Sequence, residues 1–496
     1  MMFKRYLLAS ANFQRKKQYG VVLNSLVNGY KQLALLSRFT AFALTGLVSA
    51  CTLAPTYERP AAPVADTYGK YGLSAEAHHE PMAWRSFYND PQLQALIQQA
   101  LENNRDLRIA TLNIEQAQAQ YRLSRADRLP TLNAAGSFNR AHTPASISAS
   151  GSEMTSSQYT AGLGITAFEL DLFGRVKSAS NAAIAQYLAS QAAQKAVRIS
   201  LIAEVAKTYF NLQGLDAQRS YAKKIREGYQ QTLDLTQQRF KQGVVSQVDV
   251  SLAQSALAQA QGDEEALTRN YEQTRHALTL LLGTAPQDLP TPAPFSDQDL
   301  LANVPVGLPA TQLVKRPDVM EAEFKLQAAY ADIGAARAAF FPRISLTGNY
   351  GSASNELSGL FHSGSLAWSF MPQLTLPIFD WGRNISNLDL AQVRKNINIA
   401  KYEKTIQVAF REVADALSAQ SILARQITAL QAQAKAQAKY AQLTHLRLQS
   451  GLSSAFEQLD SQRRSDLAEQ ALLQLRTTYL ANRADLYKVL GGGMQD

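Results

Sequence analysis

The body of this chain is written twice, and that duplication limits what it can fold into more than any composition figure does. Phe173-Gly174-Arg175 returns 208 residues later as Trp381-Gly382-Arg383. The same offset carries Arg239, Gly243 and Ser246 onto Arg447, Gly451 and Ser454, and Leu282-Gly283 onto Leu490-Gly491. Asp106 with Asp318, and Pro130 with Pro342, match instead at an offset of 212. The four-residue slip falls between Pro130 and Gly174 in the first copy and between Pro342 and Gly382 in the second. Insertions collect in loops, so a hairpin of variable tip is expected there. Two long copies imply a pseudo-symmetric structure rather than one catalytic pocket.

The formal net charge of +9 suggests an acidic partner until it is located. Lys4, Arg5, Arg15, Lys16, Lys17, Lys31 and Arg38 all lie in residues 1–50, which hold no Asp or Glu, so only about +2 remains from Cys51 onward. The basic balance belongs to a leader and gives no support to nucleic-acid binding. Arg38 precedes an uncharged run, Phe39 to Val48, followed by Ser49-Ala50-Cys51. A basic flank, a short apolar run and a small-residue cleavage site describe a secretory signal, and the run is too short to span a bilayer. Val48-Ser49-Ala50-Cys51 resembles a bacterial lipobox. A buried lone cysteine is the alternative, but the position just after the signal points to a lipidated Cys51 as mature N-terminus. The leader is longer than an ordinary basic segment, so a start downstream of Met1 is expected. With one cysteine, no intrachain disulfide can form.

Residues 51–89 are expected to be a Pro-rich, lipid-anchored tether, extended to about Tyr71. A first repeat then covers 90–283, a linker 284–310, a second repeat 311–491 and a short tail 492–496. Helices are expected from Asp90, as N-cap before Pro91, to Leu129, with Pro130 ending the run. The period then changes to two, predicting strands over about 130–140, 157–170, 342–352 and 366–379. Tyr159, Ala161, Leu163, Ile165 and Ala167 alternate with Thr160, Gly162, Gly164 and Thr166; Trp368, Phe370, Leu374, Leu376 and Ile378 alternate with Ser369, Met371, Gln373 and Thr375. A half-buried soluble sheet has the same pattern as a transmembrane one, but the leader and tether favour an outer-membrane sheet. The proline-free stretches from Val176 to Leu282 and from Asn384 to Leu490 predict long helices. Heptad spacing of Tyr402, Ala409, Ala416, Leu423 and Leu430, beside Ile399, Ile406, Val413 and Ile427, predicts coiled-coil packing. Gly243 and Gly451 mark the helix-to-helix turns.

Four strands in lipid leave two edges of unpaired backbone groups, each costing several kcal/mol. They are also too few to enclose a polar lumen. The chain is therefore expected to oligomerise to close its barrel.

These features together resemble the outer membrane factor family of tripartite export systems, the TolC and OprM type, in its lipoprotein branch serving resistance-nodulation-division (RND) efflux pumps. The resemblance covers nearly everything after Cys51. It is carried by the duplication, Cys51-Thr-Leu-Ala-Pro-Thr-Tyr-Glu-Arg-Pro60, Lys315-Arg-Pro-Asp318, Asp171-Leu-Phe-Gly-Arg175, Leu459-Asp-Ser-Gln462 and Leu486-Tyr-Lys-Val-Leu-Gly-Gly-Gly493. It implies an α+β membrane protein: a homotrimer with a twelve-stranded outer-membrane β-barrel, continued by a long periplasmic α-helical coiled-coil barrel. It also implies docking to a periplasmic adaptor and an inner-membrane pump, and Thr52 beside the cysteine resembles lipoproteins sorted to the outer membrane.

Glu457 and Asp460, three residues apart early in the last helix, share one helical face. Ordinary solvated carboxylates have this spacing too. The resemblance implies that the pair rings the periplasmic aperture, where like charges attract cations and relax apart when protonated. Asp249 is the first-copy counterpart of Glu457 and, by the resemblance, a member of a closing latch. The latch arginine and tyrosine positions hold Ser453 and Leu448, so closure is expected to use other contacts. The turn residues Gly243, Val244, Ser246, Gly451, Leu452 and Ser454 are the expected adaptor-docking tips.

An enzyme is not expected. His78, His79, His142, His276, His362 and His445 lack metal spacing, and no nucleophile elbow or phosphate-binding loop occurs. Gly162 and Gly164, within a strand, more often ease packing than bind phosphate. No cofactor is expected beyond covalent lipid on Cys51, and no nucleic-acid partner. The leading reading is a passive exit duct for drugs or other small toxic compounds; a protein-secretion duct and a pore-less coiled-coil scaffold are the alternatives.

Overall fold

The computed structural model describes residues 52–65, 83–285 and 310–493. Cys51, His78, His79, the leader 1–50 and most of the linker 284–310 lie outside the described residues. The chain divides into two compact units. Among the described residues one comprises 52–56, 124–181 and 330–391; the other comprises 57–65, 83–123, 182–285, 310–329 and 392–493.

The first unit contains an antiparallel sheet. Strands β1 (Leu132–Thr143), β2 (Met154–Leu170), β3 (Arg343–Ser354) and β4 (Leu366–Thr375) lie in that order, so β1 and β4 each pair on one side only within the chain. Three expected bounds are corrected. Strands β1 and β2 run to Thr143 and from Met154, so part of the expected Ser/Thr-rich loop is strand. Strand β4 stops at Thr375, before Leu376 and Ile378, because its partner β3 begins at Arg343, opposite Thr375. The slip between copies also lies elsewhere than expected. The tips, 144–153 and 355–365, are almost equal in length, whereas β2 has 17 residues and β4 has 10.

Strand β2 also departs from simple alternation. Ile165 pairs with Gly348 and Phe168 with Leu346, so Thr166 and Ala167 oppose the single Thr347. This is a β-bulge, with Ala167 at φ +50 and its N–H donating to Thr347 Oγ1 at 3.1 Å. Ala167 therefore does not continue the Ile165 face; Phe168 and Leu170 do.

The second unit is helical. A short helix α1 (Trp84–Phe87) precedes α2 (Pro91–Asn103) and α3 (Arg105–Ala126), whose last residues belong to the first unit. Asp90 caps α2 by accepting from Gln92 and Leu93 N–H. Asn104 separates the two helices of the expected run: its extended backbone ends α2, while its Oδ1 accepts from Leu107 N–H and starts α3. Residues 84–88, expected within the tether, are core instead. Trp84, Phe87 and Tyr88 are buried, and Tyr88 donates to the Ala484 carbonyl at 3.0 Å.

Helices α4 (Arg175–Lys241) and α7 (Arg383–Gln449) have 67 residues each, about 100 Å at 1.5 Å per residue. Each turns into a shorter partner, α5 (Gln247–Leu282) and α8 (Ala455–Val489). The expected heptad seam is present on α7, where Tyr402, Ile406, Ala409, Val413 and Ala416 are buried. Helix α6 (Pro317–Ala338) completes the set. None of the described helices is long and apolar enough to cross a membrane.

Candidate functional site

The sheet sorts its side chains by chemistry across four strands. Directly paired residues share a face, and the register places Ala134, Leu163, Tyr350 and Trp368 in one row. Leu132, Ile165, Gly348 and Phe370 form the next, followed after the bulge by Phe168, Leu346 and Pro372, then Leu170, Ile344 and Leu374. That face is apolar over these four rows and turns polar toward the hairpin tips, at Ser352, Ser354, Arg140 and His142. Its large side chains Phe138, Leu163, Tyr350, Trp368, Phe370 and Leu374 are exposed on the chain. The opposite face carries Asn133, Ser137, Asn139, Thr160, Ser345, Thr347, Asn349, Ser369 and Gln373. Without the bulge, Glu169 would fall on the apolar face. With it, Glu169 accepts two hydrogen bonds from Arg175 at 2.7 Å and pairs with Arg343 at 2.6 Å. Gly162 and Gly351 face each other where the backbones close in; a Cβ on Gly162 would lie 2.6 Å from the Tyr350 carbonyl oxygen.

The repeated Arg, Gly and Ser around each helical turn have a common local cause. Gly243 (φ +74) and Gly451 (φ +72) adopt the left-handed conformation that ends α4 and α7. Val244 N–H then reaches the Arg239 carbonyl at 3.0 Å, and Leu452 N–H the Arg447 carbonyl at 2.8 Å. Ser246 and Ser454 cap the following helices by accepting from Asp249 and Glu457 N–H. Val244 and Leu452 are left 68% and 69% exposed at the two turns.

The acids near these turns are all engaged. Asp249 accepts from both the N–H and the hydroxyl of Ser246, at 2.9 and 2.7 Å, and those bonds hold its carboxyl below its ordinary pKa. Glu457 accepts from Ser453 Oγ at 2.6 Å, so the serine in the latch-arginine position contacts the acid on its own turn. Asp460, one helical step on, accepts from Arg463 at 3.0 Å and Arg464 at 2.7 Å, and both guanidiniums lower its pKa. Glu457 and Asp460 thus share a face of α8, one bound to neutral serine and one to two cations.

Three further polar centres have roles that the sequence left unassigned. Glu323 on α6 accepts from Tyr57 O–H at 2.9 Å and twice from Arg59, fixing the segment expected to be a free tether. Arg316 is buried and binds Asp318, Glu412 and the Val489 carbonyl. Asp466 on α8 is buried against Tyr221 and Tyr229 of α4. The motifs Tyr57-Glu-Arg59 and Lys315-Arg-Pro-Asp318 signalled the first two; Asp466 has no local signature, only an acid inside a helical seam. Among the described residues, no three His, Cys, Asp or Glu side chains are placed to share a metal ion.

Comparison with known proteins places this arrangement. The model for the outer membrane efflux protein family matches residues 96–284 and 308–492, one match per copy. The chain is 45% identical to the outer membrane protein OprJ of Pseudomonas aeruginosa over 469 residues, 92% of this chain and 97% of that protein. It is 44% identical to the toluene efflux pump outer membrane protein TtgC of Pseudomonas putida over 460 residues, 92% and 94% of the two chains. Among solved structures it resembles the open state of the Neisseria gonorrhoeae MtrE outer membrane channel, with a TM-score of 0.78 and 40% identity. That match covers 90% of this chain and 99% of the other.

Proposed function

The chain belongs to the outer membrane efflux protein family and is an outer-membrane channel; from that premise we propose that it is the exit duct of a tripartite efflux system. The observation that carries this reading is the sheet, with one apolar face, one polar face and an unpaired edge on each outer strand. Three copies would supply twelve strands, pairing the β4 edge of one with the β1 edge of the next and removing every edge. The apolar face then meets lipid and the polar face lines water, as in outer-membrane barrels.

Acylation of Cys51 would add a lipid anchor, and the bonded Tyr57 and Arg59 fix the chain shortly after it. The turns at Gly243, Val244 and Ser246 and at Gly451, Leu452 and Ser454 offer exposed apolar tips for a periplasmic adaptor, which would connect the duct to an inner-membrane RND-type pump. Glu457 and Asp460, with Asp249 on the other copy, are the acids proposed to ring the periplasmic aperture; in a trimer each becomes three like charges. The names of relatives that export antibiotics and toluene support small, largely apolar cargo.

The purified protein in planar lipid bilayers tests this reading. A cation-favouring conductance is expected, whereas a scaffold without a pore gives none. Palmitate incorporation lost in Cys51→Ser tests the anchor.

A further inference from the structure

The buried acid Asp466 lies between the two helical hairpins, at a contact the duct reading leaves unused. Its side chain belongs to a residue only 7% exposed. Oδ1 accepts from Tyr221 O–H at 3.2 Å and Gln462 Nε2–H at 3.0 Å, and Oδ2 accepts from Tyr229 O–H at 3.4 Å. All three donors are neutral, and Asp466 enters none of the ion pairs of the described residues. Tyr221 and Tyr229 are about two turns apart on α4, so one carboxyl ties a long stretch of that helix to α8. Beside it runs a cleft of about 390 Å³ lined by Ile225, Leu252, Ala256, Phe456, Leu459 and Leu467. The polar contact thus stands between this open cleft and the buried cluster of Tyr229, Leu233, Val250, Ala253 and Leu257, against which Ile225, Ala256 and Leu459 pack.

The duplication makes this contact informative. At the repeat offset, Tyr221, Tyr229 and Asp466 correspond to Ala429, Gln437 and Ala258. The quasi-equivalent pairing of α7 with α5 thus lacks all three groups. The polar tie belongs to one of the two hairpin contacts that the repeat generates, and it holds the hairpin bearing Glu457 and Asp460.

We propose that Asp466, Tyr221 and Tyr229 form a clasp that positions the α7–α8 hairpin against α4 and restrains its displacement in the duct. The proposal rests on the exit-duct reading and deepens it by supplying a closing contact where the latch positions hold Ser453 and Leu448. Asp466 acts here as a positioning residue; it need not touch cargo.

Protonation decides how well the clasp fits. Burial raises the Asp466 carboxyl above its ordinary 3.8, and the bonds from Gln462, Tyr221 and Tyr229 offset only part of that. The charged groups on surrounding elements are Arg226 on α4, Asp263 and Glu264 on α5, and Asp460, Arg463 and Glu469 on α8. Arg226 is bound to Glu264, Arg463 to Asp460, and across the hairpin on α7 Lys439 donates to Gln442. None of these cations pairs with Asp466. The neutral acid therefore suits the site. As pH rises from 3.8 through the higher bound value, a charge without a counter-ion appears in the seam and the clasp weakens.

Single-channel recording of the full-length protein between about pH 4 and pH 8 tests this. Wild type is expected to show conductance rising with pH. Asp466→Asn keeps one acceptor oxygen, presents an NH2 where the neutral acid presents its O–H, and cannot ionise, so it should stay at the low-pH level throughout and lose that component of the pH profile. The double variant Tyr221→Phe/Tyr229→Phe should show raised conductance already at low pH. An Asp466→Asn channel that titrates like wild type overturns the clasp, as does a wild type without pH dependence. Absence of any wild-type conductance instead removes the duct reading itself, so the two failures are distinguishable.

Discussion

The guanidinium of Arg316 donates to the backbone carbonyl of Val489 at 2.9 Å, tying the residue before α6 to the last residue of α8. The same side chain binds Asp318 through two hydrogen bonds and Glu412 on α7 at 2.8 Å. One buried cation therefore gathers the start of α6, the end of α8 and the middle of α7. Replacing Arg316 with Ala would leave two carboxylates and a helix-terminal carbonyl without their donor. A cost of about 2–3 kcal/mol is expected, below the range for fully buried pairs because Asp318 and Glu412 retain some solvent. Lysine should recover little of it, since it cannot reproduce the forked geometry. Heat dissociation of the purified oligomer, followed by gel mobility, measures the effect; an unchanged transition would refute it.

The bulge at Ala167 makes a second, sharper prediction. Deleting Ala167 leaves Thr166 alone opposite Thr347, so the bulge is lost while Phe168, Glu169 and Leu170 keep their faces and Glu169 its arginine partners. Assembly into the outer membrane should survive this deletion, because no residue changes face. It should fail when an extra residue is inserted beside Ala167 in a straight strand, which would turn Glu169 toward lipid. Ala167→Gly keeps the bulge and relieves the positive φ, so stability should stay within about 1 kcal/mol of wild type or exceed it. Ala167→Val should lose about 1–3 kcal/mol through strain at the same angle. Protease protection of the inserted barrel compares all four.

The bulge also marks where the sequence stops being legible. Period-two alternation located four strands and both faces, because an apolar face beside a polar one must alternate. It assigned Ala167 to the wrong row, since a bulge depends on the Thr347 hydroxyl of another strand and leaves no local pattern. The helical turns were readable from Gly243, Ser246, Gly451 and Ser454 because capping chemistry is local. Trp84, Phe87 and Tyr88 were missed as core because their partners, such as Ala484, lie hundreds of residues away. Asp466 was illegible for the same reason, its tyrosine partners belonging to the other copy.

At the first turn, the capping box of Ser246 and Asp249 predicts a pH-dependent helix end. Asp249 has a lowered pKa because it accepts from Ser246, so its contribution is present above the ordinary carboxylate value and is lost as pH falls through the lowered one. Ser246→Ala should destabilise the start of α5 by about 1 kcal/mol at neutral pH, and less in acid. Hydrogen exchange of the amides of residues 247–250 gives the readout. Equal protection in wild type and variant at neutral pH would contradict the assignment.

The two acids on α8 differ in how they are held, and that difference predicts opposite outcomes for neighbouring substitutions. Glu457→Ala with Asp460→Ala removes both carboxylates, so single-channel conductance should rise or block by divalent cations should weaken. Arg463→Gln with Arg464→Gln leaves both acids but removes the two guanidiniums that now occupy Asp460. The freed charge should then strengthen divalent block, since each ring would present three unpaired carboxylates to the lumen. Ser453→Ala affects Glu457 alone, removing a neutral donor without changing charge, and should alter block less than either double variant. If all three variants conduct and block alike, the carboxylates are surface groups, and the narrowest ring of the duct must be built elsewhere.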